Sequence, residues 1–393
     1  MARLAGAHSE PRGSRRLTTG VASDAVDRRR QAGAEFFGAE SERIARLCHR
    51  MAERFARGGR LLALGETPPA RSDAHHVAVE FVHPVIVGKR ALPALAVSGP
   101  VQLLAEPGDI AIAFGEGVEQ ALTYSRGRGC LTIGFGGGIA EWDFVLPGSD
   151  PFVRQEVAET AYHLLWELVH VFFEHRGLLE GREARPVHDT GASSFLYPFL
   201  GEQETDLEAV VSDVRRSVLM KAEEIGDLRA QTLEDGGDEL AAAAAALRER
   251  FARGGKVLAY GNGGSATDAM DVVADLRAAG RRAIDLTEDS AIITAVANDI
   301  GPGAIFSRQI IAYGRAGDAV LALSTSGNSE NVIEALAEAR RRGLLTIAMV
   351  GYDGGRVAAE ALADHVVVTR SEHIPRIQEA QASAYHVLVE AVT

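Results

Sequence analysis

An internal repeat is the feature that most limits how this chain of 393 residues can fold. Residues Arg54–Gly65 read RFARGGRLLALG, and residues Arg250–Gly261 read RFARGGKVLAYG. Each copy predicts the end of an amphipathic helix, a Gly-Gly stop and a short buried strand. Other landmarks recur in the same order, including a Gly-Asp pair before a strand and a Gln-Glu pair ahead of Tyr-His. The sequence therefore predicts two copies of one domain.

Apolar strand patterns alternate with helical patterns in both copies, which predicts α/β domains with a parallel sheet covered by helices on both faces. Each domain is expected to be a flavodoxin- or Rossmann-like three-layer structure. The first is predicted at residues 31–180 and the second at 205–393, with a linker at 181–204 that is rich in Gly, Pro, Ser and charge. Residues 1–30 are basic and are predicted to be a mobile tail.

The overall charge narrows the class of partner. A formal net charge of −13 argues against a broad surface for nucleic acid or anionic membranes. The two cysteines, Cys48 and Cys130, cannot form a disulfide framework, and no apolar run in the sequence is long enough to cross a bilayer. We therefore expect a cytoplasmic protein that binds neither nucleic acid nor membrane.

Two loops rich in glycine and serine predict an anion site in the second copy. A strand pattern runs into Gly261–Ser265 (GNGGS), and another runs into Ser324–Ser329 (STSGNS), each followed by a helix. Glycines let backbone N–H groups approach an anion closely, and a helix N-terminus adds partial positive charge. Both loops fall at C-terminal strand ends, where parallel sheets bind ligands. We predict that they bind a phosphate together, the alternative being that they only cap helices.

These loops resemble the two signatures of sugar isomerase (SIS) domains of the phosphoheptose isomerase type. The resemblance covers essentially all of residues 205–393 and includes LTEDS at 286–290 and TAVAND at 294–299. It implies a five-stranded parallel sheet, a sugar phosphate substrate and a tetramer or pseudo-tetramer. The implied substrate contacts are Asn262, Gly263, Gly264, Ser265, Asn298, Asp299, Ser324, Thr325, Ser326, Ser329 and Gln378.

The same resemblance implies a zinc set. In this family one helix carries a His and, four residues later, a Glu, while the C-terminal helix carries a Gln and, eight residues later, a His. The second copy keeps the C-terminal pair as Gln378 and His386. At the first pair it has Asp271 and Asp275, which depart from the family pattern.

The first copy is the opposite case, because it has lost both phosphate loops. GETPPARS at 65–72 replaces the first loop, and FGEG at 114–117 replaces the second, where Glu116 would repel a phosphate. It nevertheless keeps all four residues of the zinc set: His76, Glu80, Gln155 and His163.

Helix geometry predicts how the two copies combine. His76 and Glu80 are one turn apart and can reach a single ion, although an exposed i,i+4 pair is the simpler alternative. A Gln and a His eight residues apart lie about 12 Å apart along a regular helix and cannot both touch that ion. We predict a composite site with His76 and Glu80 from the first copy and the phosphate loops from the second. The Gln and His ligands would come from one or both copies, so Gln378 and His386 are further candidates.

The predicted function is isomerisation of sedoheptulose 7-phosphate to a heptose 7-phosphate in heptose biosynthesis. Glu80 would shuttle a proton through an enediol, His163 or His386 would act as the acid, and Zn²⁺ would polarise the carbonyl. One alternative is a non-catalytic SIS protein that senses a phosphosugar or acts as a scaffold, as relatives that bind the replication initiator do. The other is an isomerase of a different sugar phosphate. A homodimer of tandem domains would supply the four units of the related tetramers.

Overall fold

The computed structural model describes residues 19–85, 89–136, 138–174, 179 and 206–393, so the predicted linker at 181–204 and residues 1–18 lie outside the described part. The predicted tail is too long, because helix α1 begins at Thr19 and ends at Ala56. Within it, Ala25 and Val26 are buried in a hydrophobic cluster. The buried Arg29 side chain pairs with Glu156 at 2.8 Å, so this segment is part of the packed structure.

The first copy consists of a five-stranded sheet and four described helices. Its strands are β1 (Leu61–Gly65), β2 (Ala94–Ala96), β3 (Ile110–Phe114), β4 (Leu131–Phe135) and β5 (Trp142–Phe144). Its helices are α1, α2 (Pro68–Val82), α3 (Glu119–Gly127) and α4 (Pro151–Glu174), with a 3-10 turn at Val101–Leu103. All strand pairs are parallel, in the order β2-β1-β3-β4-β5.

The second copy repeats this plan with more helices. Its strands are β6 (Val257–Tyr260), β7 (Ala283–Asp285), β8 (Ala319–Ser324), β9 (Leu345–Gly351) and β10 (His365–Thr369). Its helices are α5 (Leu207–Asp235), α6 (Gly237–Ala252), α7 (Gly264–Ala278), α8 (Ser290–Asp299), α9 (Ser307–Tyr313), α10 (Glu330–Arg341), α11 (Gly355–Ala359) and α12 (Ile374–Val392), with a 3-10 turn at Pro302–Ala304. The order β7-β6-β8-β9-β10 matches the first sheet, and all pairs are parallel. The predicted fold of two parallel α/β domains is confirmed.

The repeated Gly-Gly and Gly-Asp motifs form one corner in each copy. In the second copy Gly254 has φ +79°, and a Cβ on Gly255 would lie 2.4 Å from the carbonyl oxygen of Gly317. The Asp318 carboxylate accepts a hydrogen bond from the backbone N–H of Lys256 at 3.0 Å. The first copy makes the same contacts at its equivalent residues. Both motifs are therefore explained by the close approach of two strand-entry loops.

Helices, rather than the sheets, join the two copies. Helix α1 packs along α5, α2 packs against α7, and α4 packs against α12. Charged side chains are buried between α4 and α12: Arg376 pairs with Glu379 on its own helix and with Glu167 of α4 at 3.1 Å. Among the described residues, no helix is both long and apolar enough to cross a membrane.

Replacing Arg376 by Met should lower the free energy of unfolding by about 3–5 kcal/mol, because the substitution leaves Glu167 and Glu379 buried with too little positive charge. Urea denaturation measures this loss. The control is Arg341→Met, which removes an exposed partner of Glu338 and should cost no more than about 1 kcal/mol. Equal losses in the two variants would contradict the importance of the buried pairs.

Candidate active site

The first glycine-rich loop lies directly against helices of both copies. Residues 261–263 connect β6 to α7, and Gly263 has φ +58°, a conformation that favours glycine. A Cβ added to Gly264 would lie 1.8 Å from Nε2 of Gln378 and 2.9 Å from Nε2 of His76. A side chain at position 264 would therefore displace Gln378 and His76, where this loop meets α12 of its own copy and α2 of the other. Ser265 follows, buried in the first turn of α7.

The second loop is held by hydrogen bonds within the loop and to the first. The Ser324 hydroxyl accepts from the N–H of Gly327 at 3.1 Å, and the Ser326 hydroxyl accepts from Asn328 at 3.2 Å. The amides of Asn262 and Asn331 exchange two hydrogen bonds of 2.9 Å, which tie the first loop to the start of α10, the helix that follows the second loop.

The two loops flank the topological switch point of the second sheet. Strands β6 and β8 are neighbours, but β6 continues to β7 on one side and β8 to β9 on the other, which is where open parallel sheets bind ligands. Thr325 lies in the second loop, and Ser329 occupies the N-cap position of α10. Asn298 and Asp299 end helix α8 and are exposed.

Four buried side chains from three helices converge beside Gly264. Nε2 of His76 lies 3.3 Å from Nε2 of His163, 3.4 Å from Nε2 of Gln378 and 4.0 Å from Oε1 of Glu80. We call these four residues the His76 cluster. Three of them come from the first copy and Gln378 from the second, so the structure brings residues of both copies together beside the first glycine-rich loop.

Three buried carboxylates lie in or beside the His76 cluster: Glu80, Glu159 and Asp268. Burial raises the pKa of Glu80 to about 7, and its Oε2 atom has no hydrogen-bond partner among the described residues. Burial also raises the pKa values of Glu159 and Asp268, with Asp268 Oδ1 3.7 Å from Nδ1 of His76. Burial lowers the pKa of His76 well below its usual value, which favours the neutral ring.

These residues fit a zinc ion. Zn–N bonds of about 2.0–2.1 Å in a tetrahedron place ligand atoms roughly 3.3–3.4 Å apart, and His76 has this separation from both His163 and Gln378. Oε1 of Gln378 has no hydrogen-bond partner among the described residues, and a half-turn of its amide would present that oxygen to an ion. Glu159 offers a carboxylate oxygen within 4.8 Å of both histidine nitrogens. Neutral imidazoles, an amide oxygen and a carboxylate are suitable zinc ligands.

Gln155 and His386, both predicted as candidates for this set, lie elsewhere. Nε2 of Gln155 donates to Oδ1 of Asp271 at 2.9 Å, and Nε2 of His386 lies 3.3 Å from Asp271 and 3.6 Å from Asp275. We call these four residues the Asp271 cluster. On each helix the Gln and the His are too far apart to join one cluster, as predicted. Because α4 and α12 run in opposite directions, the Gln of each helix lies beside the His of the other helix.

The Asp271 cluster carries different charges. Burial and the nearby Asp271 raise the pKa of Asp275 to about 8. Burial alone would lower the pKa of His386, but hydrogen bonds to Asp271 and Glu156 raise it to about 10. Its histidine is therefore held as a cation between carboxylates.

One histidine in each cluster is oriented by a glutamate of the other copy. Nδ1 of His163 lies 2.9 Å from Glu379, and Nδ1 of His386 lies 2.9 Å from Glu156. Although burial alone would raise it, the charge of Arg376 and the hydrogen bond to His163 lower the pKa of Glu379 to about 2. The role of these two glutamates was not predicted from the sequence, where the repeated Gln-Glu pair was the available signal.

Glu159 and Asp268 were also missed. Glu159 lies midway between Gln155 and His163 on α4, one turn from each. Its equivalent in the second copy is Ala382, so comparison of the repeats gives no signal for it.

Comparisons with known proteins agree with this architecture. A profile of the SIS domain matches residues 222–351. The phosphoheptose isomerase of Chlorobaculum parvum is 48% identical over 164 residues, which are 39% of this chain and 78% of the relative. That of a Roseiflexus species is 40% identical over 186 residues, 45% of this chain and 92% of the relative. The C-terminal domain of glucosamine-fructose-6-phosphate aminotransferase from Francisella tularensis shares the fold at 12% identity, with a TM-score of 0.61 over 94% of both chains. The predicted resemblance is confirmed.

Proposed function

This chain belongs to the phosphoheptose isomerase family of enzymes, and we propose that it interconverts a ketose phosphate and an aldose phosphate. The proposed pair is sedoheptulose 7-phosphate and a heptose 7-phosphate. The contact of the His76 cluster with Gly264 of the phosphate loop supports this proposal most directly. It brings a proton-accepting carboxylate and an anion site together in one chain, on elements of different copies.

The phosphate would be held by the two loops of the second copy. Helices α7 and α10 begin just after the neighbouring strands β6 and β8, so backbone N–H groups at their N-termini and the hydroxyls of Ser265, Ser324 and Ser326 would bind the phosphate. Binding the phosphate end fixes the position of the distant C1 and C2 atoms, so that the binding energy of the phosphate serves the reaction.

Glu80 is the residue that we propose moves the proton between C1 and C2. A pKa of about 7 means that its carboxylate can both accept and return a proton near neutral pH. Its unpartnered Oε2 atom is not committed to another described side chain. The intermediate would be an enediol or enediolate of the bound sugar.

His163 cannot be both a metal ligand and the general acid, because a ligand needs a free lone pair on Nε2 and an acid needs a proton there. When Nδ1 donates to Glu379, the neutral ring presents the lone pair of Nε2 towards His76, which suits a metal ligand. We therefore assign His163 to the ion and the proton transfer to Glu80 alone. A Zn²⁺ ion held by His76, His163, Gln378 and Glu159 would polarise the substrate carbonyl and stabilise negative charge on its oxygen.

The alternative of a non-catalytic sensor or scaffold depended on the aspartates that replace the family's His and Glu. Asp271 and Asp275 lie in the other cluster, whereas the cluster beside the phosphate loop retains His76 and Glu80. This placement favours an enzyme.

Assays across five- to seven-carbon sugar phosphates would identify the substrate. The His76 cluster is complete within one chain, and the predicted homodimer can be tested by sedimentation.

Glu80→Gln should lower kcat for aldose–ketose interconversion by about 10²–10⁴-fold, because the amide cannot accept the proton. The affinity for the sugar phosphate, measured by calorimetry, should change little because the loops are untouched. Glu141→Gln, at an exposed position, is the control and should keep full activity. A Glu80→Gln enzyme with normal kcat would exclude Glu80 as the base.

His76→Ala should reduce bound zinc from about one ion per chain to near zero, because it removes the ligand that the other cluster members face. Elemental analysis after dialysis measures this content. His75→Ala is the matched control, since the neighbouring imidazole is exposed and lies outside the cluster. Equal zinc content in the two variants would place the ion elsewhere.

A further inference from the structure

A cavity of about 460 Å³ lies at the C-terminal edge of the first sheet, in the position that corresponds to the phosphate crevice of the second. Loops after β1, β3 and β4 and the start of α4 form one side. The ends of α7 and α12 from the other copy form the opposite side. Its volume is within the roughly 300–1,000 Å³ of small-molecule sites, and it is separate from the crevice assigned to the sugar phosphate.

This cavity has lost the features that bind phosphate. Ala70 occupies the place that Ser265 has in the second copy, since its carbonyl oxygen lies where a Cβ on Gly65 would stand, as that of Ser265 does for Gly261. Residues Pro68–Pro69 start α2 and supply no backbone N–H donors. Glu116 lies in the loop that corresponds to the serine loop. A phosphate therefore has no binding loop here and faces an additional negative charge.

The described lining is acidic and includes an unsatisfied buried carboxylate. The lining includes three carboxylates, of Asp73, Glu116 and Asp275, and one guanidinium, that of Arg154. The Asp275 side chain is 9% exposed, and its Oδ2 atom has no hydrogen-bond partner among the described residues, although His386 lies 3.6 Å away. A buried carboxylate in this state is stabilised by a hydrogen-bonding cation.

The rest of the lining is apolar and aromatic. Phe114 and Phe135 stack with ring centroids 5.6 Å apart, and Phe152 stacks on the His386 ring at 4.6 Å. Such walls accommodate an apolar body and also favour an attached cation. We propose that this cavity is a second binding site, for a small organic amine with an aromatic or apolar body, whose ammonium group pairs with Asp275.

The test uses phenethylamine as the probe with the full-length protein at pH 8.5, where Asp275 is mostly ionised and the amine is protonated. Ligand-observed NMR titration should show binding at millimolar concentrations. The neutral isostere 2-phenylethanol should bind at least about tenfold more weakly, and phenyl phosphate should not compete.

Three variants locate the site. Asp275→Asn should weaken phenethylamine binding about tenfold or more while leaving 2-phenylethanol unaffected. Ala278→Trp, at an exposed lining position, should block both compounds by filling the cavity without disturbing the core. Ser326→Ala, in the phosphate loop, should change neither.

The proposal is overturned if phenethylamine does not bind, or if its affinity is the same in Asp275→Asn and Ala278→Trp as in the unchanged protein. It is also overturned if phenyl phosphate displaces the amine, or if Zn²⁺ alone occupies Asp275 and excludes it. These results do not depend on the isomerase reaction, because the reporter residues lie outside the His76 cluster.

Discussion

Two reciprocal histidine–glutamate pairs between helices α4 and α12 are the interaction on which the arrangement of the two copies depends. His163 of the first copy is held by Glu379 of the second, and His386 of the second is held by Glu156 of the first. Ionised groups buried this deeply are destabilising unless their partners are close and well oriented. The observed packing of the two copies pairs these charges, and it points the Nε2 atoms of His163 and His386 into the two clusters.

The same interaction explains how two unequal copies form one site. Crossing in opposite directions, α4 and α12 each contribute a histidine to one cluster and a glutamine to the other. The His76 cluster thus borders the first glycine-rich loop of the second copy, and the Asp271 cluster borders the cavity of the first, while each cluster contains residues of both copies. With the loops intact only in the second copy and the His-Glu pair only in the first, one location has all the components of the site that we propose. The other has Ala70 and Glu116 in place of the phosphate loop, and Asp271 and Asp275 in place of His and Glu.

Much of this could be predicted from the sequence because it depends on local pattern. The repeat, the parallel sheets and the two glycine-rich loops are encoded in contiguous segments whose glycines meet specific steric demands, as at Gly255. The eight-residue spacing of Gln and His also showed that they could not share an ion. The sequence could not predict which glutamine lies beside which histidine. That pairing depends on how α4 crosses α12, and their equivalent residues Gln155 and Gln378 are 223 positions apart in the sequence. Glu159 and Asp268 were missed because their importance arises only from neighbours brought close by that packing.

A crystal structure of the protein with its sugar phosphate bound tests the central claim most directly. The account predicts that the phosphate lies between Gly263 and Ser326, with C1 and C2 within about 3–4 Å of the Glu80 carboxylate. The two copies would then complete a single site. A sugar held by those same loops with its C1 and C2 atoms turned away from Glu80 would contradict the account.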